Sequence, residues 1–399
     1  MDPLSGLPLS ALQGPSEAHG EHGSAGDGKI IGGWDGALAL VQRRSSPGPV
    51  AAADLVRREL EVLQFPQDCG AGRRKLLYSY SQAFGFGAHA HMLSLALTAA
   101  VATRRTLIPV ASSSFWLVDA TSCARAGFSC FFQDFTNCTV SETAAAAARP
   151  LLTLDATALD SQGGPEMLLF DWDAQTLAIK AGMLRHYVPS TAREWGAAWW
   201  RAQALRFLMR PRAWLEAELA QSQERIGWRG RVLALHVRHG DKLKEANRLA
   251  AEDYVRALVP MALAVGAETV FVSTDSPAVI NELTDALRRA GSQLRLVFEP
   301  DEIRGTDITN ANLQNNLRIN VTRFSASPLH LPYPTPPTRS SHAEAPRRSY
   351  TLEAVRGVFL LSRADALLAT FSSNFGRLAF APPQEYRVQK CQNADSGSI

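Results

Sequence analysis

Between Val232 and Phe298 the chain alternates apolar strand-like runs with amphipathic helical segments, and this alternation restricts the fold more than any other feature of the sequence. The periodicity predicts strands at Val232–Val237, Thr269–Ser273 and Leu294–Phe298, separated by helices at Ala251–Ala264 and Pro277–Ala290. A polar, Pro-rich stretch from Asp301 to Arg348 interrupts the pattern. It resumes with a helix at Leu352–Arg363, a strand at Ala366–Ala369 and a helix at Asn374–Ala381. Strands and amphipathic helices in strict alternation imply a parallel sheet of the doubly wound kind.

The chain upstream reads as a second α/β unit. Leu55, Leu60, Val62 and Leu63 give one apolar helical face that stops before Pro66. A strand at Lys75–Tyr80, a glycine-broken turn at Gly85-Phe86-Gly87, a helix near His89–Thr103 and a strand at Thr106–Val110 make a β-α-β beginning. Residues 111–190 are less regular. Arg193–Ala220 reads as helix interrupted near Pro211, and its Trp195, Trp199, Trp200 and Trp214 are assigned to core and interface packing rather than to sugar stacking. Residues 1–55, rich in Gly, Ser, Ala and Pro without periodicity, are expected to be disordered or ill-defined. The expected divisions are therefore 1–55, an N-terminal α/β domain at 56–229, a doubly wound domain at 230–390 carrying the insertion 301–348, and a tail at 391–399.

With 46% hydrophobic residues, 399 residues suffice for two domains. A formal charge of +3, from 41 basic against 38 acidic side chains, excludes the strong basic field of a nucleic-acid binder. No apolar run approaches the ~20 residues of a membrane span, and the N-terminus lacks the basic-then-apolar order of a secretory signal. The residues alone thus place the chain in solution. Five cysteines (Cys69, Cys123, Cys130, Cys138, Cys391) show no CxxC spacing, so no metal site is expected. They are reduced core thiols or disulfides. Two sequons, Asn137-Cys138-Thr139 and Asn320-Val321-Thr322, tilt towards an oxidising lumen.

In a doubly wound sheet ligands bind beyond the carboxyl ends of the strands, and three predicted strand ends carry polar clusters. They are His236-Val237-Arg238-His239-Gly240-Asp241-Lys242, Ser273-Thr274-Asp275-Ser276 and Thr370-Phe371-Ser372-Ser373-Asn374. Arg238 offers a planar fork to phosphate oxygens and Lys242 a mobile point charge, while Ser372 and Ser373 precede a helix. Singly, each cluster is equally well a helix cap or a surface ion pair. Three of them at three strand ends point to a nucleotide diphosphate. Dinucleotide, Walker, nucleophile-elbow and HExxH signatures are missing, so oxidoreductase, P-loop ATPase, serine hydrolase and zinc protease lose ground.

The cluster at His236–Lys242 resembles the His-x-Arg-Arg-x-Asp-Lys motif of the α-1,6-fucosyltransferases, the core fucosyltransferases of glycosyltransferase family 23. In the same order, Leu63-Gln64-Phe65-Pro66-Gln67-Asp68-Cys69, Gly85-Phe86-Gly87, Arg105-Thr106-Leu107-Ile108, Trp199-Trp200 and Arg210-Pro211 through Trp214-Leu215-Glu216 are similar to that family. So are Thr274-Asp275-Ser276-Pro277 and Leu361-Ser362-Arg363-Ala364-Asp365 running into Thr370–Ser373 and Arg377. The resemblance implies a GT-B-like glycosyltransferase in which an open-sheet α/β domain stands beside a Rossmann-like nucleotide domain. It implies inverting, metal-independent transfer from GDP-fucose to the 6-hydroxyl of the innermost GlcNAc of N-glycans in the Golgi, with no cofactor. The alternatives are another glycan or protein acceptor, or an inactive relative that binds a GDP-sugar or a glycan.

Carried over residue by residue, the resemblance places Arg238 on the diphosphate and His236, His239, Lys242, Asp275, Ser372 and Ser373 at the donor. Phe86 and Trp116 fall where the family has tyrosines near the nucleotide. Glu245 is expected to be the base; Asp241, the second candidate for that role, is assigned instead to orienting Arg238 or Lys242. The resemblance also implies a Cys69–Cys138 disulfide, with Cys123 and Cys130 as a local second bridge and Cys391 free. Two positions depart from the pattern. His239 replaces the family's second arginine, and Gly357 replaces an acidic residue, with Glu353 one helical turn earlier on the same face.

Overall fold

The computed structural model of the chain describes residues 38–43, 48–70, 72–80, 85–110, 127–151, 166–170, 187–239, 249–300, 347–370, 373–379 and 386–390. In chain order the first elements are β1 (Leu38–Arg43), α1 (Gly48–Gln64), β2 (Lys75–Tyr78), α2 (Phe86–Ala102), β3 (Thr106–Pro109), α3 (Glu142–Ala146), β4 (Arg149–Pro150) and β5 (Met167–Phe170). Two helices, α4 (Gly196–Leu208) and α5 (Ala213–Arg225), lead into the alternating part. There follow β6 (Val232–Val237), α6 (Ala251–Val265), β7 (Thr269–Thr274), α7 (Pro277–Arg289), β8 (Arg295–Val297), α8 (Arg347–Arg363), β9 (Ala366–Thr370), α9 (Asn374–Ala379) and β10 (Tyr386–Lys390).

Two sheets result. The first has the order β3-β2-β5-β4 with every pairing parallel, and the second has the order β10-β1-β9-β6-β7-β8. Within the second, β9, β6, β7 and β8 are parallel, as alternation with helices requires. All six residues of β6 and all six of β7 are buried, the condition of strands covered on both faces. Helix ends follow local chemistry: α6 stops at Gly266, whose φ of 66° places it in the left-handed region, and its N–H caps the carbonyls of Ala262 and Leu263. At the other end the Asp253 carboxylate accepts the Ala250 N–H at 3.1 Å. Helix α7 opens with Pro277, whose missing N–H costs nothing there.

Three expectations need correction. Residues 38–43 and 48–55 lie in the stretch read as disordered, yet they form β1 and the start of α1. Strand β1 lies between β9 and β10 and runs antiparallel to both, so the second sheet is mixed rather than wholly parallel. Its partners sit at the far end of the chain, where no local periodicity can reveal them. The insertion is also shorter at its end than expected, because α8 begins at Arg347 rather than Leu352.

Apart from β1, the expected divide at residue 230 separates the strands of the two sheets, but it does not separate their cores. One continuous apolar cluster runs from Leu76, Phe86, Phe128 and Phe132 of the first half to Val355, Phe359 and Leu378 of the second. Phe132 stacks on Phe359 at 5.9 Å, and α9 packs on α2. Helix α2 is Ala- and Leu-rich and buried nearly all round, as an internal helix must be. Trp200 lies in this core and donates its indole N–H to Thr98 Oγ1 at 3.0 Å, while Trp214 tilts against Phe131. The Cys69–Cys138 disulfide is present, with Cα atoms 5.5 Å apart, and packs with Leu77 and Ile108 on the first sheet. Cys130 is also disulfide-bonded; its expected partner Cys123, and Cys391, lie outside the described residues.

Candidate functional site

Strands β9, β6 and β7 are adjacent, parallel and level, since His236 pairs with Ala369 and Val237 with Thr274. The residues that leave these strands are therefore neighbours. Arg238, the first residue after β6, places Nη1 2.8 Å from Oδ2 of Asp275, the first residue after β7. The other carboxylate oxygen of Asp275 accepts the backbone N–H of His239 at 2.9 Å. One carboxylate thus holds both the guanidinium and the chain that carries it, which fixes the direction in which the arginine leaves the sheet. The guanidinium side chain is 31% exposed against 12% for Asp275, so the cation faces outward and its brace lies beneath. Behind them the Ser276 N–H donates to Thr274 Oγ1 at 3.2 Å and turns the chain into α7.

The floor of the crevice is built from His236, Ser273, Ser373, Phe375 and Gly357. Burial lowers the pKa of His236 to about 4; Arg238 pushes it the same way and Asp275 opposes. The imidazole is therefore neutral at pH 7, and its ring stacks on Phe375 with centroids 5.2 Å apart. Ser373, buried, accepts the Phe375 N–H at 3.3 Å. Gly357 brings the backbone of α8 against this floor. A Cβ there would lie 3.1 Å from Phe375 Cζ and 3.2 Å from Ser273 Oγ, closer than neighbours normally stand.

Helix α8 is held by a charge network centred on a buried carboxylate. Glu299, 3% exposed, accepts from Ser222 and from Arg225 Nη2 at 3.0 Å, and Arg356 Nε lies 3.6 Å away. Arg356 also reaches Glu218 at 3.0 Å, and Arg363 pairs with Glu216. The network joins α5, the end of β8 and α8, and it sets Arg356 immediately before Gly357. A carboxylate this deep is tolerable only with such partners.

The family profile of the alpha-(1,6)-fucosyltransferase N- and catalytic domains matches residues 38–289, well over half of the chain. The chain belongs to the alpha-(1,6)-fucosyltransferase family. An alpha-(1,6)-fucosyltransferase of Drosophila melanogaster is 26% identical over 344 residues, covering 82% of this chain and 46% of that protein. The chain thus spans about half the length of this relative. Among solved structures it is similar to NodZ alpha-1,6-fucosyltransferase soaked with GDP-fucose, at 15% identity and TM-score 0.40, over 80% of this chain and 99% of that one. It is also similar to POFUT1 in complex with GDP-fucose, at 11% identity and TM-score 0.40, over 78% and 94% of the two chains.

Of the residues expected at the donor site, His236, Arg238, Asp275 and Ser373 converge at the level ends of the three strands in this member of the fucosyltransferase family. His239 joins them through its backbone; its ring is buried and tilted against Tyr254, 6.1 Å away. Phe86 is a correction. Its ring is buried and stacks on Phe128 at 5.7 Å, with Phe132 at 6.3 Å, so it packs an aromatic core instead of lining the nucleotide. The position opens α2, where a large apolar side chain is drawn inward by Phe128. Asp241, Lys242, Glu245, Ser372 and Trp116 lie outside the described residues.

The bracing of Arg238 falls to Asp275, a residue expected only to line the donor. Phe375 was not singled out by sequence; the signal was its place two residues after a strand-end serine. Among the described residues no group of three or more His, Cys, Asp or Glu side chains is placed to hold a metal, and no helix is long and apolar enough to cross a membrane. A hollow of about 460 Å³ beside β8, lined by Thr284, Leu287, Arg288, Leu296 and Phe298, contains none of the strand-end residues.

Proposed function

We propose that the chain is an inverting fucosyltransferase that moves fucose from GDP-fucose to the 6-hydroxyl of the innermost GlcNAc of an N-glycan, without a metal, in the Golgi. The observation that carries this reading is the braced Arg238 at the level ends of β6 and β7. Membership of the family supports the donor and the linkage. In the reaction the acceptor O6 attacks the anomeric carbon of fucose from the face opposite the nucleotide. The O6–C1 bond forms, the bond from C1 to the β-phosphate oxygen breaks, and GDP leaves with the electron pair. Arg238, with Lys242, neutralises the charge that grows on the departing diphosphate. Ser372, Ser373 and Trp116 complete the donor's surroundings. The acceptor's proton passes to Glu245, while Asp275 and Asp241 keep the cations in line. His236, neutral, contributes shape and packing rather than charge.

The test is GDP release from GDP-fucose with a panel of N-glycans that differ at the innermost GlcNAc. Arg238→Ala is expected to abolish transfer and to weaken GDP binding by more than the ~0–1 kcal/mol of an exposed ion pair. Arg238→Lys recovers little, because a point charge cannot reproduce the fork. Unchanged GDP affinity in both variants by calorimetry would refute the site. Glu245→Gln should lower kcat while leaving GDP binding intact, whereas Asp241→Asn should weaken both. A second reading, a GDP-sugar-binding relative without turnover, is favoured by Gly357, which presents no carboxylate where α8 meets the crevice floor. GDP-fucose binding without GDP release, across the whole panel, would establish that reading.

A further inference from the structure

The sequon Asn137-Cys138-Thr139 lies beside the end of α1. Its residues alternate: Asn137 and Thr139 are exposed, and Cys138 between them is buried in the disulfide with Cys69. Both side chains that an oligosaccharide transferase reads therefore stand outward, while the residue between them fixes the segment to the fold. Three further bonds stitch it down. The Asn137 N–H donates to Gln64 O at 3.4 Å, Thr136 Oγ1 donates to the same carbonyl at 2.9 Å, and Asn137 Nδ2 donates to Pro66 O at 2.9 Å. Asn137 Oδ1 lies 3.8 Å from Cys69 Sγ and 3.7 Å from Cys138 Sγ; with both sulfurs oxidised these are contacts and not hydrogen bonds.

We propose that Asn137 is an N-glycosylation site, and that its occupancy is set by competition between glycan transfer and closure of the Cys69–Cys138 disulfide. Disulfides at Cys69–Cys138 and at Cys130 belong to an oxidising compartment, where sequons are glycosylated. The co-substrate is an oligosaccharide carried on a lipid pyrophosphate. A bond forms between Asn137 Nδ2 and the anomeric carbon of the first sugar, the bond from that carbon to the pyrophosphate breaks, and the lipid pyrophosphate leaves. One Nδ2 proton is lost to the transferase. The other stays on Nδ2, and the exposed side chain carries the sugar outward. The order of events is fixed by the same contacts. The transferase must draw Asn137 and Thr139 into its own site, and once the disulfide closes, the segment is tied at Gln64, Pro66 and Cys69 and cannot follow. Transfer therefore precedes the bridge.

The experiment translates the full chain behind a cleavable leader into microsomes, with and without dithiothreitol. Peptides of leader-cleaved chains are then treated with peptide N-glycosidase in ¹⁸O water, which marks each formerly glycosylated asparagine. Asn137 occupancy is expected to be partial under oxidising conditions, to rise severalfold with reductant, and to rise equally in Cys69→Ser without it. Thr139→Ala should abolish the mark at Asn137 while leaving the mark at Asn320 as it was. Because the readout is taken on nascent chains, it does not require Cys69→Ser to fold. Asn137 unmarked under both conditions in imported chains would overturn the site. Equal occupancy with and without reductant would overturn the competition.

Discussion

Acidification tests the crevice floor through His236. In the folded chain its pKa is lowered to about 4, chiefly by burial, against an ordinary value of 6.5. The unfolded chain therefore binds the proton more readily. The stability that depends on this neutral imidazole is present above pH 6.5 and is lost as pH falls from there towards 4. A separation of this size is worth about 3 kcal/mol in total, of which ~2 kcal/mol disappears between pH 7 and pH 5. His91, lowered to about 3 by burial and by Arg201 and Arg377, shifts in the same direction, so wild-type behaviour alone does not isolate His236. His236→Phe does, because it keeps a ring to stack on Phe375 and has nothing to titrate. Urea unfolding of both proteins at pH 7 and pH 5 should show the wild type losing ~2 kcal/mol more than the variant over that interval. Equal losses in the two proteins would refute the view that the ring is buried and neutral at the strand end.

Glu299→Ala leaves Arg356 and Arg225 without their shared carboxylate and should cost about 3–5 kcal/mol in urea unfolding, with Glu299→Gln losing less because the Ser222 contact survives. Gly357→Ala discriminates by sign: at an unconstrained helix position alanine gains ~0.5–1 kcal/mol, but here the new Cβ meets Phe375 and Ser273, so a loss of about 1–3 kcal/mol and weaker GDP binding are expected. A stabilised Gly357→Ala would show that α8 stands off the floor. Cys138→Ser opens a bridge spanning 69 residues and should lower unfolding stability by about 2–4 kcal/mol, read as the difference in urea midpoint at constant slope.

Much of the second sheet was legible because its strands and helices are local events. Val232–Val237 is an apolar run bounded by Gly230 and the polar strand end, and its limits coincide with those read from the sequence. The convergence of Arg238, Asp275 and Ser373 followed from a general property of parallel sheets, that successive strands end on the same side. What escaped was non-local. β1 depends on strands near the other terminus, and the crossing of the core from Phe132 to Phe359 joins residues no window can span. Phe86 escaped for a different reason. A side chain at the mouth of a helix can face ligand or core, and only its neighbours, Phe128 and Phe132, decide which.

The position of β1 bears on how the chain is made. Leu38 pairs with Thr370, and the other edge of the same strand waits for Tyr386–Lys390. At ribosomal speeds, a strand at the start of the chain must remain unpaired for roughly tens of seconds until its two partners emerge. During that interval it offers hydrogen-bonding groups on both edges, the condition under which strands recruit foreign ones. The second sheet can therefore be completed only once Tyr386–Lys390 has been made, whereas the first sheet, with all its strands before residue 171, can assemble while the later strands are still being translated. A nascent chain stalled before Tyr386 should hold the earlier sheet, and it should need a chaperone for the strand that came first.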